Sequence, residues 1–130
     1  MGPRHAVSIA IGMVFIAAGI AHFTHAGFFE SLVPAQFGTG RGAVNATTGV
    51  LTIGIGLAFL LLRLRRFARW LAITLLLLTL PVTAYRALHP AVAKSVGLSP
   101  TLLGTALVAW VSMIALVWWA TKADDENPKL

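Results

Sequence analysis

The chain lacks cysteine altogether and is poor in acidic residues. Without cysteine, thiol redox catalysis, disulfide exchange, cysteine-ligated iron–sulfur clusters and covalent c-type haem attachment are excluded. Only 4 of the 130 residues are Asp or Glu. Three of them stand together at Asp124–Glu126, which leaves Glu30 as the one acid in the body of the chain. A single carboxylate does not make a two-carboxylate catalytic site or a carboxylate-rich metal cage.

Charged residues are almost absent from four apolar blocks. Each block has 18 to 21 residues, and together they comprise residues 6–23, 43–62, 70–88 and 101–121. At about 1.5 Å rise per residue, helices of this length match a hydrocarbon core about 30 Å thick. We therefore expect an all-α membrane protein with one domain (residues 1–130), built as an up-and-down bundle of four transmembrane helices. A polar tail is expected at residues 122–130.

The small share of charged residues also limits the possible functions. Charged residues make up 11% of the chain, against about 25% in a soluble domain. No ionisable residue lies well inside a block, whereas ion and proton carriers usually place such residues there. The pattern therefore argues against an ion-coupled transporter or a proton pump. The net charge of +6 comes from cations that flank the blocks, so we predict no nucleic-acid partner.

The distribution of cations predicts the topology. Four crossings put both termini and the connection between the second and third blocks on one side. That side carries seven of the ten Lys and Arg residues. The positive-inside rule then places both termini in the cytoplasm. Four of these cations also have the spacing to contact anionic lipid headgroups: Arg63, Arg65, Arg66 and Arg69.

Small residues and one proline shape the predicted helices. Gly12 and Gly19, then Gly49, Gly54 and Gly56, then Thr101, Thr105 and Ala109 recur at spacings that let helix backbones approach closely. Threonines within the blocks can donate to the carbonyl one turn back, so they need no ligand. Pro81 removes one backbone hydrogen bond and is expected to kink its helix or end the regular part.

The connection between the first two blocks does not resemble a plain linker. Residues 27–34 place apolar side chains at helical spacing, so we predict a short amphipathic segment there. Glu30 is expected either to pair with Arg41 or Arg86 or to remain a solvated surface acid. His22, His25 and His89 fall on this same side, but we interpret them as packing and interfacial residues and predict no metal site.

A succession of short fragments resembles the DoxX-like family of small bacterial membrane proteins. The fragments are Gly19–Phe23, Phe28–Pro34, Gly49-Val50, Arg63–Ala72, Leu80-Pro81 and Tyr85, within residues 12–88. The resemblance implies a four-helix bundle in a bacterial cytoplasmic (inner) membrane, and some relatives are linked with quinone-reducing complexes. The family pattern suggests an acid where Thr52 stands and an amide where Thr83 stands, so we expect an accessory role here.

Three functions follow as hypotheses. The first is a small non-catalytic subunit or scaffold of a larger membrane complex, with the lipid bilayer, a membrane-protein partner or a second copy as its contacts and no cofactor. The second is a quinone-linked oxidoreductase component, with His22, Glu30, Arg41 and Tyr85 forming an outer-leaflet pocket for a quinone head. The third is a protein that binds lipid or a hydrophobic small molecule. Candidate residues for a ligand site, or for anchoring the connection, are His22, Glu30, Arg41, Pro81, Thr83 and Tyr85.

Overall fold

The computed structural model describes residues 2–95, 97–122 and 124. This part of the chain forms six α-helices and no strand. The helices are α1 (Pro3–Thr24), α2 (Ala26–Leu32), α3 (Arg41–Leu60), α4 (Arg65–Leu88), α5 (Pro90–Ser95) and α6 (Pro100–Thr121). Short 3-10 segments at Ala35–Gly40 and Leu62–Leu64 precede α3 and α4. Of the predicted tail, residues 123 and 125–130 lie outside the described residues.

Four of these helices, α1, α3, α4 and α6, are long and apolar enough to cross a membrane. The predicted all-α four-helix membrane fold is therefore confirmed, and α2 confirms the short segment between the first two crossings. Helix α5 was not predicted. Helix α4 begins at Arg65, five residues before the predicted block at Trp70. Arginine is a good helix former, so the hydropathy boundary and the helix boundary need not coincide.

The crossing helices pack in the ring order α1, α3, α4, α6. The closest pairs are α1 with α3 and α4 with α6. Both described chain ends and the α3–α4 turn lie at one end of the bundle, which we name the terminal end. Helices α2 and α5 lie at the other end, which we name the loop end. Contacts such as Ser8 to the Ala120 carbonyl and Arg69 to the Thr121 carbonyl define the terminal end.

Glycines set the close approach of α1 and α3. A Cβ placed on Gly56 would lie 2.6 Å from the Gly12 carbonyl oxygen, and one on Gly12 would lie 2.8 Å from the Gly56 carbonyl oxygen. Gly19 makes the same kind of contact with α3, because its Cβ would lie 2.8 Å from the Gly49 carbonyl oxygen. The predicted packing role of these residues is confirmed for this pair of helices.

The other small residues behave differently. A Cβ on Gly54 would meet nothing within 4 Å, and Gly54 faces outward. Thr101, Thr105 and Ala109 form a stripe on α6 that is exposed in the described structure. The expectation that this stripe packs inside the bundle is wrong. The α6 helix instead buries Leu103, Val117, Ala120 and Thr121.

Polar groups inside the bundle find partners close by. Trp110 on α6 donates its indole N–H to the Thr79 hydroxyl on α4 at 2.9 Å, and Thr79 in turn lies 3.1 Å from the Leu75 carbonyl oxygen. Helix α4 continues through Pro81 to Leu88, so the proline does not end the helix. The Thr83 hydroxyl donates to the Thr79 carbonyl at 3.2 Å, across the turn that contains the proline.

We predict that Gly56→Ala lowers the stability of the bundle by roughly 1–3 kcal/mol, because the new methyl group must push α1 away from α3. The same substitution at Gly54 adds a methyl group in open space and should leave stability unchanged or slightly raised. The measurement is the SDS-induced loss of helical circular dichroism for both variants in detergent. Equal stability of the two variants would contradict the glycine contact.

Candidate functional site

An open cleft of about 510 Å³ lies at the loop end of the bundle. Its walls come from the end of α2, the segment that follows it, the first residue of α3, the last turns of α4, and α5. The side chains that line it are Ser31, Val33, Pro34, Ala35, Gln36, Arg41, Pro81, Val82, Tyr85, Arg86, Val92 and Ser95. Three of the predicted candidates, Arg41, Pro81 and Tyr85, are therefore brought together.

The walls of the cleft are held by backbone geometry. Pro34 fixes an extended residue after α2 (φ −53°, ψ 143°), and Gly38 turns the chain with a positive φ of 49°. Residues that carry a side chain rarely adopt a positive φ, so glycine is favoured at this position. The turn brings the chain back so that Arg41 opens α3 on the wall facing α4.

Arg86 is the most buried charged group in the cleft wall, with 8% of its surface exposed. It lies in the last turn of α4 and donates from Nη2 to the carbonyl oxygen of Leu32, the last residue of α2. Carbonyls at the end of a helix have no partner within it, so this bond caps α2 and fixes it to α4.

Arg41 also lines the cleft, and fewer of its N–H donors than those of Arg86 are hydrogen-bonded. Its Nε is buried and has no hydrogen-bond partner within the described part of the chain. Arg41 and Arg86 are close enough for their charges to repel one another. The cleft is therefore a cationic site, which the sequence did not indicate, since Arg86 was considered only as a partner for Glu30.

Tyr85 lies at the rim, with 55% of its surface exposed. Its ring stacks on the imidazole of His89 at a centroid distance of 4.2 Å. His89 donates from Nδ1 to the Tyr85 carbonyl at 2.8 Å, which closes the end of α4. His89 is thus a helix-end residue, and its interfacial role stays a prediction.

His22 is outside the cleft and belongs to a different contact. Its Nδ1 donates to the side-chain oxygen of Asn45 at 2.7 Å, and the Asn45 amide donates to the His22 carbonyl at 2.8 Å. The His22 ring also stacks on Phe29 at 4.0 Å. This reciprocal pair joins α1 to α3, and the stacked ring adds α2. His22 is a packing residue, as the interpretation of the histidines expected.

Asn45 is a buried packing residue that the sequence analysis did not identify. In the sequence, Asn45 begins a glycosylation sequon, Asn45-Ala-Thr47. The structure buries it to 4% exposure. A signal was present, because Asn45, Gly49, Thr52 and Gly56 recur at helical spacing and all lie on the buried face of α3.

Glu30 does not pair with either arginine. Among the described residues, Arg86 bonds to the Leu32 carbonyl and no ion pair joins Glu30 to Arg41 or Arg86. The Glu30 carboxylate instead lies over the first turn of α3, where a Cβ placed on Gly42 would be 3.4 Å from its Oε1. A negative charge is favourable at a helix N-terminus, which gives Glu30 a stabilising role there.

The two threonines at which the DoxX-like pattern expects other residues are bonded within their own helices. Thr52 donates to the Thr48 carbonyl at 2.7 Å, and Thr83 donates to the Thr79 carbonyl. Neither lines the cleft. The prediction that threonines donate one turn back is confirmed here, while Thr83 is not brought to the ligand site.

At the terminal end, the four arginines predicted to contact lipid divide into two classes. Arg65 and Arg69 are buried, with 1% and 3% of their surfaces exposed, whereas Arg63 and Arg66 are exposed. Arg65 donates from Nε to the Phe59 carbonyl at 2.8 Å and from Nη1 to His5 Nδ1 at 2.7 Å. The lipid-contact prediction is therefore corrected to Arg63 and Arg66, because Arg65 and Arg69 are used to join helices.

At the terminal end, Arg69 contacts a carbonyl of α6 and two tryptophan rings. It donates to the Thr121 carbonyl of α6 at 3.4 Å, and its guanidinium lies 5.1 Å from the ring centre of Trp118 and 5.4 Å from that of Trp70. Arg4 lies 5.4 Å from the ring centre of Trp119. Tryptophan at a span end is typical of the membrane interface, and the cations add attraction to the ring faces.

No group of three His, Asp or Glu side chains is placed to hold a metal ion within residues 2–95, 97–122 and 124. His25 bonds to the neighbouring Thr24 hydroxyl at 2.9 Å, His22 to Asn45, and His89 to its own helix end. The three histidines at the loop end therefore have separate local partners.

Residues 11–123 match a family described as a domain of unknown function (DUF8561). The chain belongs to that family. The match runs from the third turn of α1 to the end of α6, so the DUF8561 domain includes the whole cleft lining. No curated protein and no solved structure matches the chain. The resemblance to the DoxX-like family stays a prediction.

We predict that Asn45→Ala destabilises this DUF8561 chain by about 1–3 kcal/mol, because two buried hydrogen bonds to His22 are lost. Thr47→Ala is the matched control, since it removes the sequon but changes an exposed side chain. Detergent-solubilised variants are compared by thermal unfolding. Equal melting temperatures would show that the His22–Asn45 pair does not hold α1 to α3.

Arg65→Gln should destabilise the DUF8561 bundle by about 1.5–3 kcal/mol, because two hydrogen bonds from a charged donor are removed. Arg63→Gln removes the same charge from an exposed position of the same turn. It should leave unfolding unchanged. A similar loss of stability in both variants would indicate an effect of charge on the turn and not the buried contacts of Arg65.

Proposed function

We propose that the protein is a non-catalytic membrane protein that binds the polar head of an amphipathic molecule in the loop-end cleft. The observation that carries this proposal is the cleft itself, which places polar groups above an apolar bundle at the end of the crossing helices. Ligand sites typically combine an apolar wall with a few convergent polar groups. Pro81, Val82 and Val92 supply the former, and Arg41, Tyr85 and Gln36 the latter.

The lining supports binding better than catalysis. Its described side chains include no carboxylate and no histidine, which are the usual general acids and bases. The hydroxyls of Ser31 and Ser95 donate to the Phe28 and Val92 carbonyls at 2.6 and 2.8 Å. Each serine is thereby committed to its own short helix, so neither stands beside a base that would make it a nucleophile.

The proposal includes an orientation. We propose a bacterial cytoplasmic membrane because of the resemblance to the DoxX-like family. We propose that both termini lie in the cytoplasm because seven cations lie at the terminal side against three at the other. The cleft then opens at the outer leaflet. An amphipathic molecule in that leaflet reaches it with the tail in lipid and the head between α2 and α4.

A quinone-linked role receives less support. The predicted pocket combined His22, Glu30, Arg41 and Tyr85, but His22 is bonded to Asn45 and Glu30 lies over the first turn of α3. Only Arg41 and Tyr85 line the cleft. A quinone head therefore has fewer of the expected partners there.

A role as a subunit of a larger complex is the second candidate. The exposed stripe of Thr101, Thr105 and Ala109 on α6 is the observation that favours it. Small residues at a spacing of four are enriched where membrane helices associate closely. A membrane-protein partner or a second copy seated on α6 would use a face that the bundle itself leaves open.

We predict that Ala35→Trp abolishes retention of a co-purified amphipathic molecule, because the indole fills the cleft that Ala35 lines. Thr39→Trp is the control: it adds the same ring to an exposed residue of the same segment that does not line the cleft. The measurement is native mass spectrometry of each protein after mild detergent extraction, with identification of every bound molecule. A ligand retained equally by both variants would contradict the proposed site.

The same spectra test the second candidate. A stoichiometric protein partner or a dimer in all variants, with no bound small molecule in the unmodified chain, would favour the subunit role. A monomer that carries one class of molecule and loses it in Ala35→Trp would favour the binding role.

A further inference from the structure

We propose that the loop-end cleft selects an oxyanion, the carboxylate or phosphate group of an amphipathic molecule. The inference rests on the proposed function and names the chemical class of the ligand head. It depends on the charge of the cleft, on the hydrogen-bond donors its arginines present, and on the position of the one acid in the body of the chain.

The charge of the residues that line the cleft is positive. Arg41 and Arg86 line it together, and none of its described lining residues is acidic. The two guanidinium groups repel one another. Arg86 is 8% exposed, so water screens this repulsion less than it would at an open surface. A bound anion would remove the repulsion and replace it with two attractions.

Glu30, the one acid in the body of the chain, contacts another part of the fold. Glu30 lies in α2, adjacent to the cleft residue Ser31, yet its carboxylate lies over Gly42 in the first turn of α3. Glu30 therefore forms no ion pair with Arg41 or Arg86 among the described residues. The positive charge of the cleft remains for a molecule from outside the chain.

The donors of the two arginines have different roles. Each guanidinium carries five N–H donors in a planar fork. Arg86 commits Nη2 to the Leu32 carbonyl, which fixes its position. No donor of Arg41 makes a hydrogen bond among the described residues, including its buried Nε. Arg41 is thus the arginine whose donors are expected to contact the ligand, and Arg86 is the fixed second charge.

These features favour an anion over a neutral head. Hydrogen bonds between guanidinium and a carboxylate or phosphate are about twice as strong as those between neutral groups. A quinone carbonyl or an alcohol accepts hydrogen bonds but gives no charge to offset the Arg41–Arg86 repulsion. The Tyr85 ring lines the rim of the cleft with 55% of its surface exposed, and it offers an apolar surface for the first carbons of a tail.

The test compares oleate, oleyl alcohol and acetate as probes of the purified full-length chain in a neutral detergent, with affinity measured by titration calorimetry. Oleate and oleyl alcohol share a tail and differ in charge, whereas acetate carries the charge without the tail. We expect oleate to bind about tenfold to hundredfold more tightly than oleyl alcohol, the ratio that a charge-assisted bond supplies. Acetate binding as tight as that of oleate would identify a free anion as the ligand and overturn the amphipathic part.

Arg41→Gln should remove the preference for oleate, bringing its affinity to that of oleyl alcohol. Lys94→Gln is the matched control, because it removes one cation from an exposed position at the same end without lining the cleft. It should keep the preference. Arg41→Lys is a second variant that retains the positive charge and should preserve part of the preference. It separates the effect of the lost charge from an effect of the substitution on folding.

The outcomes distinguish the inference from the function on which it rests. Equal binding of oleate and oleyl alcohol, both blocked by Ala35→Trp, would overturn the anion selectivity and leave the cleft as a binding site. A loss of preference in Lys94→Gln equal to that in Arg41→Gln would also overturn it, since the general charge of the surface would then suffice. Binding of neither probe would remove both proposals.

Discussion

The interior of a bilayer offers no water to polar groups, and this constraint governs where polar residues stand in the bundle. A group without a partner in hydrocarbon costs several kcal/mol, so helices satisfy their backbone internally and side chains must find donors or acceptors nearby. Thr52, Thr79 and Thr83 comply by donating one turn back along their helices. Trp110 complies by donating across to Thr79. The arginines lie near the ends of the bundle.

The two ends use arginine for different purposes. At the terminal end, Arg65 and Arg69 donate to the carbonyls of Phe59 and Thr121, where α3 and α6 run out of internal partners. These arginines join helices and are withdrawn from the surface. At the loop end, Arg86 caps α2 in the same way, but Arg41 stands beside it without an acid between them. One end is closed by its arginines, and the other is left open as a cationic cleft.

Sequence patterns predicted the four long apolar helices and the glycine contacts between α1 and α3, because these follow from hydropathy and spacing alone. They did not predict which arginines are buried. Arg63 and Arg65 are two residues apart in one turn, and only the direction in which α4 begins separates the exposed one from the buried one. The cleft was equally hidden. It depends on the turn at Gly38 and on α5, and neither has a hydrophobic pattern that places it against α4.

The ring order of the helices has a consequence for how the chain enters the membrane. The contact between α1 and α3 includes the glycines, the His22–Asn45 pair and the Phe15–Phe59 ring pair, all of which lie before residue 60. This hairpin therefore has its complete interface before α4 has been synthesised. The bond from Arg65 to His5 then ties the second half to the first amino acids of the chain. Insertion can proceed as two successive hairpins, with the terminal end sealed only when the last helix has crossed.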